Sequence, residues 1–278
     1  MNPVGFFLNL DQGQATDQEV VDMLSDVGYQ AIELGVSHLD PRRMSAAQMK
    51  ELVRTTEAAG LQVSELVVQR ELVHRDVAVR EAELALTADC IAAAVDLGID
   101  TVNCFTGPAP FRDLGSPTLH RDIGEGEAWG MVCRDYYTLA ELLRRYDSPA
   151  LGVNYDPSHM ALHGNSVGWT IEQLAPRIFH CHVKDVVGAP GKVMGDTFLF
   201  PLLGEGYVPW PEFFQAITAS GYARVLSVEF ESFDYFATTL RGDLRAVAEM
   251  CYRDFVSLRD AAAAAPATGT LGSADPAS

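Results

Sequence analysis

The sequence predicts an α/β fold in which short parallel strands alternate with helices and close into a (β/α) barrel. Three observations lead there. Apolar runs of strand length recur along the 278 residues, each followed by a polar loop and an amphipathic helix, which is the pattern of a parallel sheet covered by helices. No G-x-G-x-x-G turn follows the first run, and this argues against the open, dinucleotide-binding version. The polar residues with chemical potential stand at the C-terminal ends of several different strands, where a barrel gathers its loops.

Residues 4–8, VGFFL, read as the first strand. Thr16 and Glu19 have capping-box spacing at the head of a helix that ends near Gly28. Residues 31–36 form the second strand. Ser45 and Gln48 open the second helix, and Gly60 stands where a glycine closes the last turn. Residues 62–68 are the third strand, 77–97 a long helix and 101–105 the fourth strand. Later β-rich runs occupy 151–155, 178–183 and 225–230, with helices near 171–174, 210–219 and 240–258. Residues 261–278 are small, polar and low in complexity, and read as a disordered tail after a barrel domain of residues 1–260.

Composition narrows the partners. With 38 acidic against 20 basic residues the formal net charge is −18, which opposes nucleic acid or an anionic membrane, since both demand a basic face. Cys90, Cys104, Cys133, Cys181 and Cys251 are scattered without a C-x-x-C pair, so neither a disulfide framework nor a zinc knot is suggested. The first residues lack the basic region of a signal peptide, and no stretch approaches the ~20 apolar residues that span a bilayer. A small molecule is the expected partner and the cytoplasm the expected compartment.

Three short runs hold the chemistry. Asp156 and His159, three apart just past a strand end, can both turn toward one barrel opening. Asp-Pro-Ser is equally good turn chemistry, and Asp156 could simply cap a helix. In His180-Cys181-His182-Val183-Lys184-Asp185, strand alternation points His180, His182 and Lys184 to one side. Two histidines and a lysine inside an apolar core without a task would be costly. Glu229 and Glu231 share one face of the last strand, where each needs a cation, a donor or a proton; a salt bridge to arginine is the plain alternative. Together these runs offer Asp, His and Glu from three strand ends, a mixed oxygen and nitrogen set that fits Mn²⁺, Mg²⁺, Co²⁺ or Zn²⁺. Such an ion can polarise a sugar carbonyl while a carboxylate or histidine takes the proton from the adjacent carbon. His74, in the loop after the third strand, and Asn103, at the end of the fourth, are candidate contacts to sugar hydroxyls.

Asp156-Pro157-Ser158-His159, His180-x-His182-x-Lys184-Asp185 and Val228-Glu229 resemble the later strands of the xylose isomerase-like TIM-barrel superfamily, the sugar phosphate isomerase/epimerase family. That superfamily also holds inosose dehydratases, ketose 3-epimerases and, more distantly, endonuclease IV. Residues 198–206, FLFPLLGEG, with Trp210, Phe213 and Phe214, are similar to its loop and helix before the last strand. The resemblance covers about Val4 to Leu258 and is strongest between Leu151 and Ser232. It implies a metal held by Asp156, His182 and Glu229, Mn²⁺ being the first expectation. It implies Glu229, His159 and Lys184 as catalytic groups, with His180 and Asp185 joining His74 and Asn103 as substrate contacts. The implied activity is isomerisation or epimerisation of a sugar or sugar derivative by proton transfer next to a carbonyl. A lyase or dehydratase, a C-glycoside-deglycosidase-like barrel subunit, or an impaired member serving as a binding partner are the alternatives.

One departure stands out. The family's fourth ligand, a glutamate on the fifth strand in a run resembling "hydrophobic-Ala-hydrophobic-Glu-Pro-His", has no counterpart in this sequence. Only 43 residues separate Gly107 from Leu151, where a helix, a strand and a second helix should fit. The chain is therefore expected to lack or rearrange the fifth βα unit. Either the chemistry is weakened, or Glu33, Glu65, Glu125 or Glu127 substitutes as a ligand, or another subunit completes the barrel in a homo- or hetero-oligomer.

Overall fold

The computed structural model describes residues 2–9, 18–68, 77–104, 149–189 and 198–264. Seven parallel strands form its sheet: β1 (Val4–Phe7), β2 (Ala31–Gly35), β3 (Gln62–Val68), β4 (Val102–Cys104), β5 (Val153–Tyr155), β6 (Ile178–Val183) and β9 (Leu226–Val228). A two-stranded antiparallel pair, β7 (Val187–Gly188) and β8 (Phe198–Leu199), lies between β6 and β9 in the chain. The sheet order is β4-β3-β2-β1-β9-β6-β5.

Side-chain contacts show how far this sheet rolls. β1 and β9 stand between β2 and β6 in the sheet, yet His180 of β6 lies 2.7 Å from Glu33 of β2. Glu65, on β3, is one strand further away and still 3.5 Å from His180. Strands that do not pair can meet this closely only across the inside of a curled sheet. The result is a nearly closed parallel barrel of the TIM type, in which β4 and β5 are the edges among the described residues. Residues 105–148, which would carry the expected loss of the fifth unit, lie outside the described residues, as do Glu125 and Glu127.

The helices on the outside are α1 (Gln18–Val27), α2 (Ala46–Ala58), α3 (Val77–Leu97), α4 (Pro157–Leu162), α5 (Val167–Leu174), α6 (Trp210–Ala219), α7 (Phe233–Thr238) and α8 (Leu244–Ala264). Local chemistry sets their ends. Ser45 and Gln48 cap α2 reciprocally, and Gly60 follows it at φ +90°, as their spacing predicts. α6 and α8 lock together through Phe214 and Phe255, whose ring centroids are 5.8 Å apart. At Gly28, φ is +115° and a Cβ would lie 2.9 Å from the Tyr252 ring of α8, so the α1 terminus requires glycine twice over.

The C-terminal region differs from expectation in two ways. The helix predicted to start at 240 starts at Leu244 as α8, after a turn in which Arg241 and Gly242 take φ of 53° and 79°, and the short α7 before it is not among the predicted elements. Residues 261–264, expected at the start of the tail, are helical, since α8 runs on to Ala264 with Ala262 buried; residues 265–278 lie outside the described residues. A run of alanines has the highest helix propensity and propagates a helix already docked on the barrel. Among the described residues Cys90, Cys104, Cys181 and Cys251 are free thiols, and no helix is long and apolar enough to cross a membrane.

Candidate metal centre

Strands β2 and β3 and the chain just past the ends of β5 and β9 bring five carboxylates into one buried volume, to which β6 adds two imidazoles. Asp156 caps α4: its Oδ1 accepts from the Ser158 amide at 2.8 Å and the Ser158 hydroxyl at 2.7 Å. Its Oδ2 turns the other way and accepts no hydrogen bond, with Lys184 Nζ at 3.3 Å and His159 Nε2 at 3.4 Å. The capping reading and the ligand reading of Asp156 therefore divide between its two oxygens.

His182 stacks on Phe7, centroids 5.7 Å apart and planes 15° from parallel, so its ring cannot rotate freely. Its Nδ1 is 3.1 Å from Glu229 Oε2, and its Nε2 is 3.0 Å from Glu33 Oε2 and 3.1 Å from the Asn154 amide. One ligand atom from each of Asp156, His182 and Glu229 lies within 4.8 Å of the others. This juxtaposition, with Asp156 Oδ2 left unsatisfied, fits a divalent cation of the kind that takes mixed oxygen and nitrogen ligands.

Lys184 crosses the same space. Its ammonium donates to Glu229 Oε2 and Glu231 Oε2, both at 2.8 Å, and sits 4.1 Å from the centroid of the Phe200 ring. Burial works against the charged ammonium, but Glu229, Glu231 and Asp156 hold it protonated well above the ordinary lysine range. Against the same burial, Lys184 and His182 keep the Glu229 carboxyl far below the usual carboxylate range. Glu231 behaves oppositely: burial, only partly offset by Lys184, pushes its carboxyl up to about 7. His182 is drawn well above its ordinary value by Glu33 and Glu229 despite burial.

Glu33 and Glu65 lie deeper, each at 0% exposure. Burial opposes ionisation of Glu33, yet the His182 and His180 imidazoles hold its carboxyl well below the ordinary value. Burial and the neighbouring Glu33 charge drive Glu65 well above it. Neither oxygen of Glu65 accepts a hydrogen bond from a described residue. Of the six buried side-chain polar atoms in that condition, four belong to Glu65, Asn154 and Asp156 around this cluster. Glu33, Glu65, Asp156, Glu229 and Glu231 thus share their surroundings with one ammonium and the imidazoles of His159, His180 and His182, a concentration of carboxyl groups that burial makes expensive.

The other predicted positions separate. His159 stands at the rim with its side chain 45% exposed and its ring edge-on to Phe200 at 5.7 Å. Asn103, half-buried on β4 opposite Val67, shares the inward face nearer the C-terminal ends of the strands. His180 does not line the opening: it is 2% exposed, beneath His182 and bonded to Glu33, so its expected contact with substrate is replaced by an internal one. Asp185 is also reassigned. It is fully buried and accepts from the amides of Val186, Gly204 and Val208 and from Trp210 Nε1, at 2.9, 2.9, 3.1 and 3.0 Å. Those four donors use its capacity to hold residues 204–210 under the site, leaving none for a substrate. His74 lies outside the described residues. The sequence put Glu231 on the face of Glu229, in need of a cation, a donor or a proton, and Phe200 in the loop before the last strand; the Lys184 ammonium meets both.

Comparison with curated protein sequences finds no match. Among solved structures, the xylose isomerase domain protein from Planctomyces limnophilus superposes with a TM-score of 0.65 at 19% identity, covering 94% of this chain and 99% of that one. L-ribulose 3-epimerase gives 0.65 at 18% identity, covering 95% and 96%. The IolI protein, solved with a zinc atom, gives 0.65 at 14% identity, covering 93% and 98%. At such identities the likeness is one of fold, which many chemistries share. The family model described as xylose isomerase-like TIM barrel matches residues 21–124 and 124–252, most of the sequence. On that match, with the strand order and the inward acidic and imidazole set already found, the chain belongs to the xylose isomerase-like TIM barrel family.

Proposed function

We propose that this protein is a divalent-metal-dependent isomerase or epimerase that moves a proton on the carbon next to a carbonyl of a sugar or sugar derivative. The observation that supports it most is the convergence of Asp156, His182 and Glu229, one ligand atom from each within 4.8 Å of the others, with Asp156 Oδ2 accepting no hydrogen bond. Structural relatives named as an epimerase and as a zinc-bound protein agree with this reading. Asp156 Oδ2, His182 Nδ1 and a Glu229 oxygen would hold the ion, with Mn²⁺ our first expectation and Mg²⁺, Co²⁺ or Zn²⁺ compatible. Such an ion, when bound, supplies positive charge to a carbonyl oxygen and lowers the acidity barrier of the neighbouring C–H.

The remaining work falls to this chain's side chains. Glu229 stays ionised and is placed to accept a proton. Glu231, with its carboxyl near 7, can hold or release one at neutral pH, as general acid–base catalysis favours. The Lys184 ammonium, fixed between them, offers a hydrogen bond to developing oxyanion charge. Phe200 screens that ammonium from water, and His159 and Asn103 would take substrate hydroxyls.

The test is solvent deuterium incorporation into ketoses and cyclitol ketones, with metal content measured on protein purified without chelator. Glu229→Gln should lower turnover about 10²- to 10⁴-fold, the usual range for a proton-transfer group. Undiminished turnover in that variant, or a wild-type protein that exchanges no substrate proton with added Mn²⁺, overturns the assignment.

A further inference from the structure

We propose that the barrel takes a second divalent cation beneath the first, in a site made by Glu33, Glu65 and His180 and closed by Nε2 of His182. Glu33, Glu65 and His180 belong to β2, β3 and β6 and supply no ligand to the upper centre. All four residues are buried, and one ligand atom from each lies within 4.8 Å of the others.

The spacing suits a cation. A tetrahedral ion with bonds of about 2.0–2.2 Å needs ligand atoms roughly 3.3–3.6 Å apart. The imidazole-to-carboxylate separations here are 2.7 and 3.5 Å at His180, and 3.0 and 3.9 Å at His182. They bracket that edge, so small side-chain rotations suffice.

Glu65 supplies the second reason. It is at 0% exposure, and both of its oxygens are without a hydrogen bond from any described residue. A buried carboxylate in that condition costs several kcal/mol by the usual scale unless something positive meets it. A proton on Glu65, even one shared with Glu33, would serve one of its oxygens and leave the other unmet. A divalent cation meets Glu65 and Glu33 together. Two carboxylate oxygens and two imidazole nitrogens without a thiolate select Zn²⁺, Co²⁺, Mn²⁺ or Fe²⁺ over Ca²⁺, which prefers an all-oxygen shell. Filling the site also displaces the Asn154 amide from His182 Nε2, now 3.1 Å away. With an ion at each nitrogen the His182 ring would give up its N–H protons to solvent and stand between the ions as an imidazolate, which couples their affinities and makes loading release protons.

The experiment counts metal. Wild-type protein is loaded with Zn²⁺, freed of excess by gel filtration and analysed by mass spectrometry of the elements; the same is done for Glu65→Gln, His180→Asn and Asp156→Asn, each checked by circular dichroism. The expected result is two equivalents in the wild type and one in every variant, with the second Zn²⁺ bound at least ~100-fold more weakly after Glu65→Gln or His180→Asn. A single wild-type equivalent that survives Glu65→Gln and His180→Asn but is lost in Asp156→Asn overturns the deep site and leaves the upper centre standing. One equivalent with the opposite pattern supports the deep site and overturns the upper. A wild type that retains no Zn²⁺ overturns both.

Discussion

Replacing Asp185 by asparagine separates a scaffold role from a substrate contact. The side chain is fully buried, and its two oxygens each accept two hydrogen bonds: Val186 N and Val208 N on Oδ1, Gly204 N and Trp210 Nε1 on Oδ2. Asparagine keeps the shape but turns one oxygen into an NH₂ group, so two of the four donors meet another donor. At about 1–3 kcal/mol for each buried donor left unpaired, with loss of charge assistance on the remaining pair, the cost should be about 3–5 kcal/mol. There is no slack to absorb it, since a Cβ at Gly206 would already overlap Asp185 Oδ1 and the Val186 carbonyl. Urea unfolding followed by tryptophan fluorescence should show a lower midpoint at unchanged slope. Trp210→Phe, which removes one donor and leaves one acceptor position open, should cost less than half as much. A loss under 1 kcal/mol for Asp185→Asn, with a raised KM instead, would refute the bracket and restore the residue to the substrate.

Two further predictions concern the charges above the barrel. The Glu231 carboxyl stands at about 7 in the folded protein against an ordinary 4.5, so between those values the folded state holds more protons than the unfolded one. Metal-free protein should therefore lose stability as pH rises from about 4 to 7, with up to about 3 kcal/mol of the loss due to Glu231, and Glu231→Gln should make the slope shallower by that share; parallel stability–pH curves for the two would contradict it. Lys184→Met removes the ammonium that faces Asp156, Glu229 and Glu231. Without metal the variant should be about 3–5 kcal/mol less stable, and added Mn²⁺ should raise its melting temperature more than that of the wild type, as calorimetry can measure; equal stability without metal would exclude the arrangement.

Much of the architecture was legible locally. β3, β6, α3 and α6 begin and end where the run lengths and periodicity of the sequence predict, because those signals act within a few residues. The inward set His180, His182 and Lys184 follows from the period of two, and the same period turns Asp185 the other way, a cue the family resemblance overrode. The docked alanine run of α8 was readable from helix propensity as well.

What tertiary structure alone decided is which inward groups meet. Glu33 and His180 are 147 residues apart and 2.7 Å distant, and Glu65 joins them from a third strand that pairs with neither β6 nor β9. Which oxygen of Asp156 caps α4 and which faces Lys184 is set by the same closure. Alternation along one strand states which side a residue faces; the roll of the sheet, a property of all the strands together, sets what it finds there.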